Sequence, residues 1–216
     1  MAVARASEAS ALRARIESRL RGTRPGGDPL EAFLRGMPVE RHDALRHAVP
    51  AMLTDAAVLV PIVERPEGLT VLLTLRASHL KNHAGQISFP GGRVEPEDSG
   101  PWATALRETQ EEIGLTPEYI THAGYLADHM VISGFRITPA VGFVRPGFDL
   151  RLDRTEVEDV FEVPLRFILD RANHVPRDRH YQGVTVVTYD IPWQDRQIWG
   201  ATANMLVTLG RVVGEE

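Results

Sequence analysis

The chain has no cysteine among its 216 residues. That excludes disulfides, thiolate nucleophiles and cysteine-ligated metal sites. It fits a reducing compartment, so the expected location is cytoplasmic. Positive charge is not in surplus: 24 Lys and Arg stand against 29 Asp and Glu, for a net charge of −5. Nonspecific nucleic-acid binding as a main task needs the opposite balance, and no nucleic-acid partner is expected. An anionic substrate stays open only if something local, such as a metal ion, supplies positive charge. No uninterrupted apolar run is long enough to span a membrane, and no membrane partner is expected. What remains is an ordinary globular balance, 43% hydrophobic and 25% charged, with length for one core and a small extension.

The first 22 residues, "MAVARASEASALRARIESRLRG", are Arg-rich and amphipathic, like some organellar transit peptides. Glu8 and Glu17 weigh against that reading. Leu12, Ile16 and Leu20 stand at i, i+4 and i+8 and line one helical face, which favours a docked surface helix. "GTRPGGDP" interrupts the helical pattern, and Asp28 then Pro29 suit the N-cap and first position of a second helix. Residues 1–50 therefore read as a helical extension that packs on the core or helps form a homodimer, and 51–216 as the main domain. "AAVLVPIV" and "LTVLLTLR" flank the turn "ERPEG" and predict a hairpin. "QISFPGG", "YITHAGYL", "RITPAVGFV" and "VTVVTYDI" read as strands. "PWATALRETQEEIG", "PLRFILDRA" and "ATANMLVTLGRVV" read as helices, the first opened by Pro101 and capped by Gly114. Hairpins outnumber βαβ units, which gives an α+β class with a mixed sheet.

Within "ALRETQEEIGL", Glu108, Glu111 and Glu112 stand at i, i+3 and i+4, so their carboxylates share one helical face. Trp102, Leu106, Thr109 and Ile113 form a separate, core-facing stripe. Like charges this close destabilise a helix unless compensated. One reading is a solvated acidic face, relieved in part by Arg107 pairing with Glu111. The other is a divalent-cation site, for which an all-oxygen set suits Mg²⁺ or Mn²⁺. Upstream, "FPGGRVEPEDSG" adds a glycine pair and an acidic loop, and glycines allow backbone carbonyls to approach an ion or phosphate.

"GGRVEPEDSGPWATALRETQEEIGL" resembles the signature box of the Nudix hydrolases through Gly92, Arg107, Glu108, Glu111, Glu112, Gly114 and Leu115. The interval from Gly92 to Arg107 is one residue longer than the family pattern. The upstream acid falls at or beside Asp98, since counting back from Arg107 lands on Ser99. Thr109 stands where an aliphatic residue is usual. "LLTLRASHLKNHAGQISFPGG" is similar to the extended motif of the coenzyme A pyrophosphatase branch through Leu80, His83, Gly85, Phe89, Pro90, Gly91 and Gly92. "TALRE" and "IWGATANML" look like that branch too.

The resemblance implies an α/β/α sandwich around a mixed sheet. It also implies an enzyme that hydrolyses a diphosphate with Mg²⁺ or Mn²⁺. For this branch the substrate is CoA or a CoA thioester, cut to 4′-phosphopantetheine and adenosine 3′,5′-bisphosphate. Alternatives are another nucleotide derivative (ADP-ribose, a dinucleotide, a nucleoside triphosphate) or a non-catalytic ligand-binding module. By the resemblance Glu108 and Glu112 hold metal with Glu111 joining, Gly91 or Gly92 lends a carbonyl, and Arg107 orients the cluster. Glu156, in "DRTEVEDVFEVPL", is the candidate outside acid, as metal ligand or general base, with Glu158 as the fallback and a solvated loop acid as the plain alternative. His83 is either a phosphate contact or a structural hydrogen-bonder. Arg76 is either a phosphate partner or an ordinary surface arginine. Gly91 completes the candidate substrate contacts. His129 falls in an expected loop and takes no role.

Overall fold

The computed structural model describes residues 2–34, 37–50, 52–80, 83–181 and 183–214. The two long apolar runs become strands β1 (Thr54–Arg65) and β2 (Gly68–Arg76), an antiparallel hairpin turning at residues 66 and 67. Short β3 (Ile87–Ser88) and β4 (Gly91–Arg93) follow, then helix α4 (Pro101–Ile113), preceded in the chain by α1 (Ala2–Leu20), α2 (Pro29–Leu34) and α3 (His42–Ala48). After α4 come β5 (Ile120–Tyr125), β6 (His129–Val131), β7 (Phe135–Val144) and β8 (Val157–Pro164). Helix α5 (Leu165–Leu169), strands β9 (Val175–Tyr181), β10 (Val184–Trp193) and β11 (Arg196–Trp199), and helix α6 (Gly200–Val213) complete the order.

β1 is the spine of an eight-stranded mixed sheet. It runs parallel to β7 from Thr54 opposite Phe135 to Val63 opposite Val144, and antiparallel to β2 at its far end. Buried on both faces, it carries the near-continuous apolar run expected of such a strand. Its even positions Val58, Val60 and Ile62 pack with Ile16 and Leu20 of α1 and with Leu206 and Leu209 of α6. Its odd positions Ala57 and Leu59 pack with Ala105 and Trp102 of α4. The arrangement is α+β, helices on both faces of a mixed sheet, as expected. α1 docks through the stripe foreseen for it: Ile16 and Leu20 are buried, and Leu12 packs against them.

Local signals placed several elements correctly. Asp28 accepts hydrogen bonds from the backbone N–H groups of Leu30 (2.9 Å) and Glu31 (3.2 Å), capping α2 behind Pro29. α4 starts at Pro101 and ends on Gly114 in the left-handed region, φ 71°. Two expectations need correction, and one strand has an unforeseen partner. "PLRFILDRA" is helical only to Leu169, because the Asp170 carboxylate accepts from the Ala172 N–H at 3.0 Å and starts a 3₁₀ turn. "VTVVTYDI" is a strand as read, and β10 pairs with β9 and β11 in a separate three-stranded sheet. His129 is not in a loop but opens β6, opposite Ile137 of β7.

Candidate active site at the acidic helix

The site forms where α4 lies across β4 and the lower half of β1. β4 pairs with β1 through Gly92 opposite Ala57 and Gly91 opposite Val58. The glycine pair lets α4 sink onto this edge. A Cβ on Gly92 would stand 2.3 Å from the Glu108 carboxyl carbon, and one on Gly91 would stand 2.4 Å from the Ala57 carbonyl oxygen. Gly91 also holds φ 156°, a conformation that side chains avoid. The glycines thus leave the space that the acid cluster fills.

The three glutamates do not form a uniform solvated ridge. The Glu111 side chain is 60% exposed, that of Glu108 18% and that of Glu112 only 4%. Ala105, Thr109 and Ile113 are the buried apolar stripe, with Glu112 in their midst, while Leu106 is only half-buried. Glu112 Oε2 accepts the Gly91 N–H at 3.2 Å, and its Oε1 lies 3.8 Å from Arg76 Nη1. Burial nonetheless dominates and pushes this carboxyl up to about 8, with the charges of Glu156 and Glu108 adding to the rise against Gly91 and Arg76. Burial also raises Glu108, with Glu111 and Glu156 reinforcing it and Arg107 opposing.

Arg107 gathers the surrounding acids. Its Nε and Nη2 donate to the two carboxylate oxygens of Asp98 at 3.1 and 3.0 Å. Nη1 donates to Glu108 at 2.9 Å and Glu111 at 3.2 Å, and Nη2 also reaches the Arg93 carbonyl at 3.1 Å. The planar fork matches this bidentate geometry in a way lysine does not. Asp98, 6% exposed, also accepts from the Thr104 hydroxyl at 2.8 Å and the Glu95 N–H at 2.9 Å. Hydrogen bonding to Arg107 holds Asp98 well below the usual carboxylate range and holds Arg107 above its own. Sequence reading noticed Asp98 only as an irregular spacing. The loop folds so that Asp98, not Ser99, meets the guanidinium.

The other candidates divide. Arg76 is no plain surface arginine: beside Glu112, its Nε is buried with no hydrogen-bond partner among the described residues. A bulge between Leu75 and Arg76, where β2 meets β8, accompanies this placement. Glu156 is exposed, and its backbone carbonyl accepts the Ala77 N–H at 2.8 Å, tying its loop to the end of β2. Its charge reaches both Glu108 and Glu112. Glu158 instead accepts the Ser78 N–H at 3.2 Å. His83 sits exposed in the turn after β2, with φ 58°, and its Nδ1 pairs with Gln86 Oε1 at 2.8 Å. The neighbouring Lys81 and Asn82 of the same motif lie outside the described residues.

The donor set suits a hard divalent cation. The available donors are carboxylate and backbone oxygens, beside the cations Arg107 and Arg76, and the Gly92 space admits Glu108 where a Cβ would exclude it. No three acidic or imidazole groups among the described residues close on one point as a metal cage. Mg²⁺ does not require such a cage, because it keeps waters and binds through one or two carboxylates plus substrate phosphates.

Residues 53–182 match the family model described as NUDIX domain. The "Uncharacterized Nudix hydrolase NudL" of Salmonella paratyphi B is 41% identical over 162 residues, covering 74% of this chain and 83% of the relative. The protein of the same name from Salmonella newport matches with the same identity and coverage. Among solved structures, a C. elegans Ap4A hydrolase aligns at 21% identity with a TM-score of 0.45, covering 51% of this chain and 80% of that one.

Proposed function

The chain belongs to the Nudix family, and on that premise we propose that it is a divalent-metal-dependent diphosphate hydrolase acting on CoA or its thioesters. The observation that carries the catalytic half is the placement of Glu108 and Glu112 on one glycine-lined edge, within the electrostatic reach of Glu156 and with Arg76 beside Glu112. The substrate half is supported by the "LxxHxGxxxFPGG" stretch from Leu80 to Gly92.

Glu108 and Glu112 would hold Mg²⁺ or Mn²⁺, with Glu111 at the open side and a carbonyl from Gly91 or Gly92 as further donors. When bound, the ion neutralises phosphate oxygens and lowers the pKa of a bound water. Arg107 keeps Glu108 and Glu111 in place. Glu156, at the open rim, accepts the proton of the attacking water. The water oxygen forms a new bond to one phosphorus, the bridging P–O bond breaks, and the departing phosphate takes the electron pair. Arg76 pairs with a non-bridging phosphate oxygen, which would supply a partner for its orphaned Nε. His83, exposed in the turn after β2, would contact the same phosphate group.

The test is product analysis of purified protein with CoA and, separately, ADP-ribose, each with Mg²⁺, Mn²⁺ or chelator. Metal-dependent release of adenosine 3′,5′-bisphosphate from CoA, with ADP-ribose largely intact, is the expected result. Faster cleavage of ADP-ribose would keep the metal site and discard the CoA substrate. Tight CoA binding without cleavage in either metal would make the chain a binding module.

A further inference from the structure

The C-terminal end of α4 leaves its last backbone carbonyls without partners inside the helix. The loop before β8 takes up two of them. Arg151 N–H donates to the Ile113 carbonyl and Asp153 N–H to the Glu112 carbonyl, each at 2.9 Å. Gly114 permits that approach, because a Cβ there would stand 2.9 Å from the Arg151 nitrogen. The glycine that ends the signature box thus caps α4 and also admits the loop that carries Glu156.

Asp153 then turns the chain back on itself. Its carbonyl accepts the Glu156 N–H at 3.0 Å and the Val157 N–H at 2.8 Å. A single residue therefore joins the peptide groups of Glu112 and Glu156. The Asp153 side chain closes the turn: Oδ1 accepts the Thr155 hydroxyl at 2.7 Å and the Thr155 N–H at 2.8 Å. Hydrogen bonding to Thr155 holds Asp153 below the usual carboxylate range. The helix dipole does not retain an acid at the C-terminal end of α4, so Thr155 supplies the anchor. The other side of the loop is clamped to the end of β2. Ala77 N–H donates to the Glu156 carbonyl at 2.8 Å, Ser78 N–H to Glu158 Oε2 at 3.2 Å, and His79 Nε2 pairs with the Thr155 carbonyl at 3.1 Å. The Glu156 backbone is fixed from both sides, while its side chain stays exposed.

We propose that Asp153 and Thr155 are positioning residues for Glu156, and that their turn keeps this acid in register with Glu112 across the end of α4. This rests on the reading of Glu156 as proton acceptor given above. A general base works only within hydrogen-bond reach of the proton it takes, and an acid on an unanchored loop samples many positions. The turn removes that freedom without using the carboxylate itself. It acts through Glu156 and not on the substrate, so its loss should appear in kcat rather than in KM. Glu158 takes a place in the clamp, through Ser78, and leaves the proton to Glu156.

Thr155→Val removes the hydroxyl that closes the turn and keeps the side-chain shape at an exposed position, so the fold should survive. Kinetics use Mg²⁺ with CoA or ADP-ribose, whichever the wild type cleaves faster. Thr155→Val should lower kcat by about tenfold with KM nearly unchanged, and Thr155→Ser should restore it. In a Glu156→Gln background, Thr155→Val should lower kcat no further. In the ¹⁵N-labelled full chain in chelator, Thr155→Val should speed hydrogen exchange of the Glu156 and Val157 amides relative to wild type. Equal losses of kcat in both backgrounds, or unchanged exchange at those two amides, would overturn the positioning role. Full kcat in Thr155→Val beside an impaired Glu156→Gln would also overturn it, and would leave the proposed function standing. Full kcat in Glu156→Gln, or no cleavage of either substrate by the wild type, would remove the reading of Glu156 and the positioning role with it.

Discussion

Replacing Glu112 with glutamine is expected to cut metal-dependent hydrolysis by on the order of 10²–10³-fold, while stabilising the metal-free protein at high pH. The two effects share one cause. Glu112 is 4% exposed, and burial pushes its carboxyl up to about 8. A group whose folded value lies above its ordinary value of 4.5 contributes stability that is full below about pH 4.5 and lost as pH rises through 8. Ionised and without a cation, this carboxylate costs the fold stability that grows by on the order of 1.4 kcal/mol for each pH unit between those values. Glutamine keeps the shape and the hydrogen-bond acceptor but not the charge. Its melting temperature should therefore change less between pH 5 and pH 9 than that of the wild type, both measured in chelator. A variant that is both active and equally pH-sensitive would remove Glu112 from the site.

Asp98→Asn should weaken the protein in a different way. Asp98 is fixed by both edges of the Arg107 fork, and Arg107 in turn holds Glu108 and Glu111. Losing the charged half of that pair is expected to cost about 1.5–3 kcal/mol of stability at pH 7. It should lower kcat by roughly 10–100-fold, as for partners that orient metal ligands. The pH dependence runs opposite to that of Glu112. Asp98 is held below the ordinary carboxylate value of 3.8, so its contribution is present above that value and lost as pH falls through the depressed folded one. The gap in urea midpoint between wild type and Asp98→Asn should therefore be full above about pH 5 and shrink progressively as pH falls below about 4. A constant gap across that range would mean that Asp98 contributes only packing.

What the sequence disclosed follows from how local each signal is. The β1–β2 hairpin, the Asp28 cap and both ends of α4 depend on neighbours within a few residues, and all were legible. That Glu108, Glu111 and Glu112 share a face follows from helical geometry alone. Their unequal burial does not, because it depends on which strand lies beneath the helix, and only the placement of β4 settles that. Arg76 looked like an ordinary strand-end arginine until the fold brought β2 beside α4. Asp98 was hidden by a loop one residue longer than the family pattern. His129 was obscured by short β6, whose three residues carry too little alternation to read as a strand. The separate β9–β10–β11 sheet was likewise invisible, since strand character does not reveal strand partners.

The central claim is that the edge lined by Gly91 and Gly92 is a divalent-cation site built on Glu108 and Glu112. It is tested most directly by titrating Mn²⁺ into wild type, Glu108→Gln and Glu112→Gln and following free Mn²⁺ by electron paramagnetic resonance. The account predicts saturable binding in the wild type and an affinity loss of about tenfold or more in each variant. Superimposable titration curves for all three proteins would contradict it.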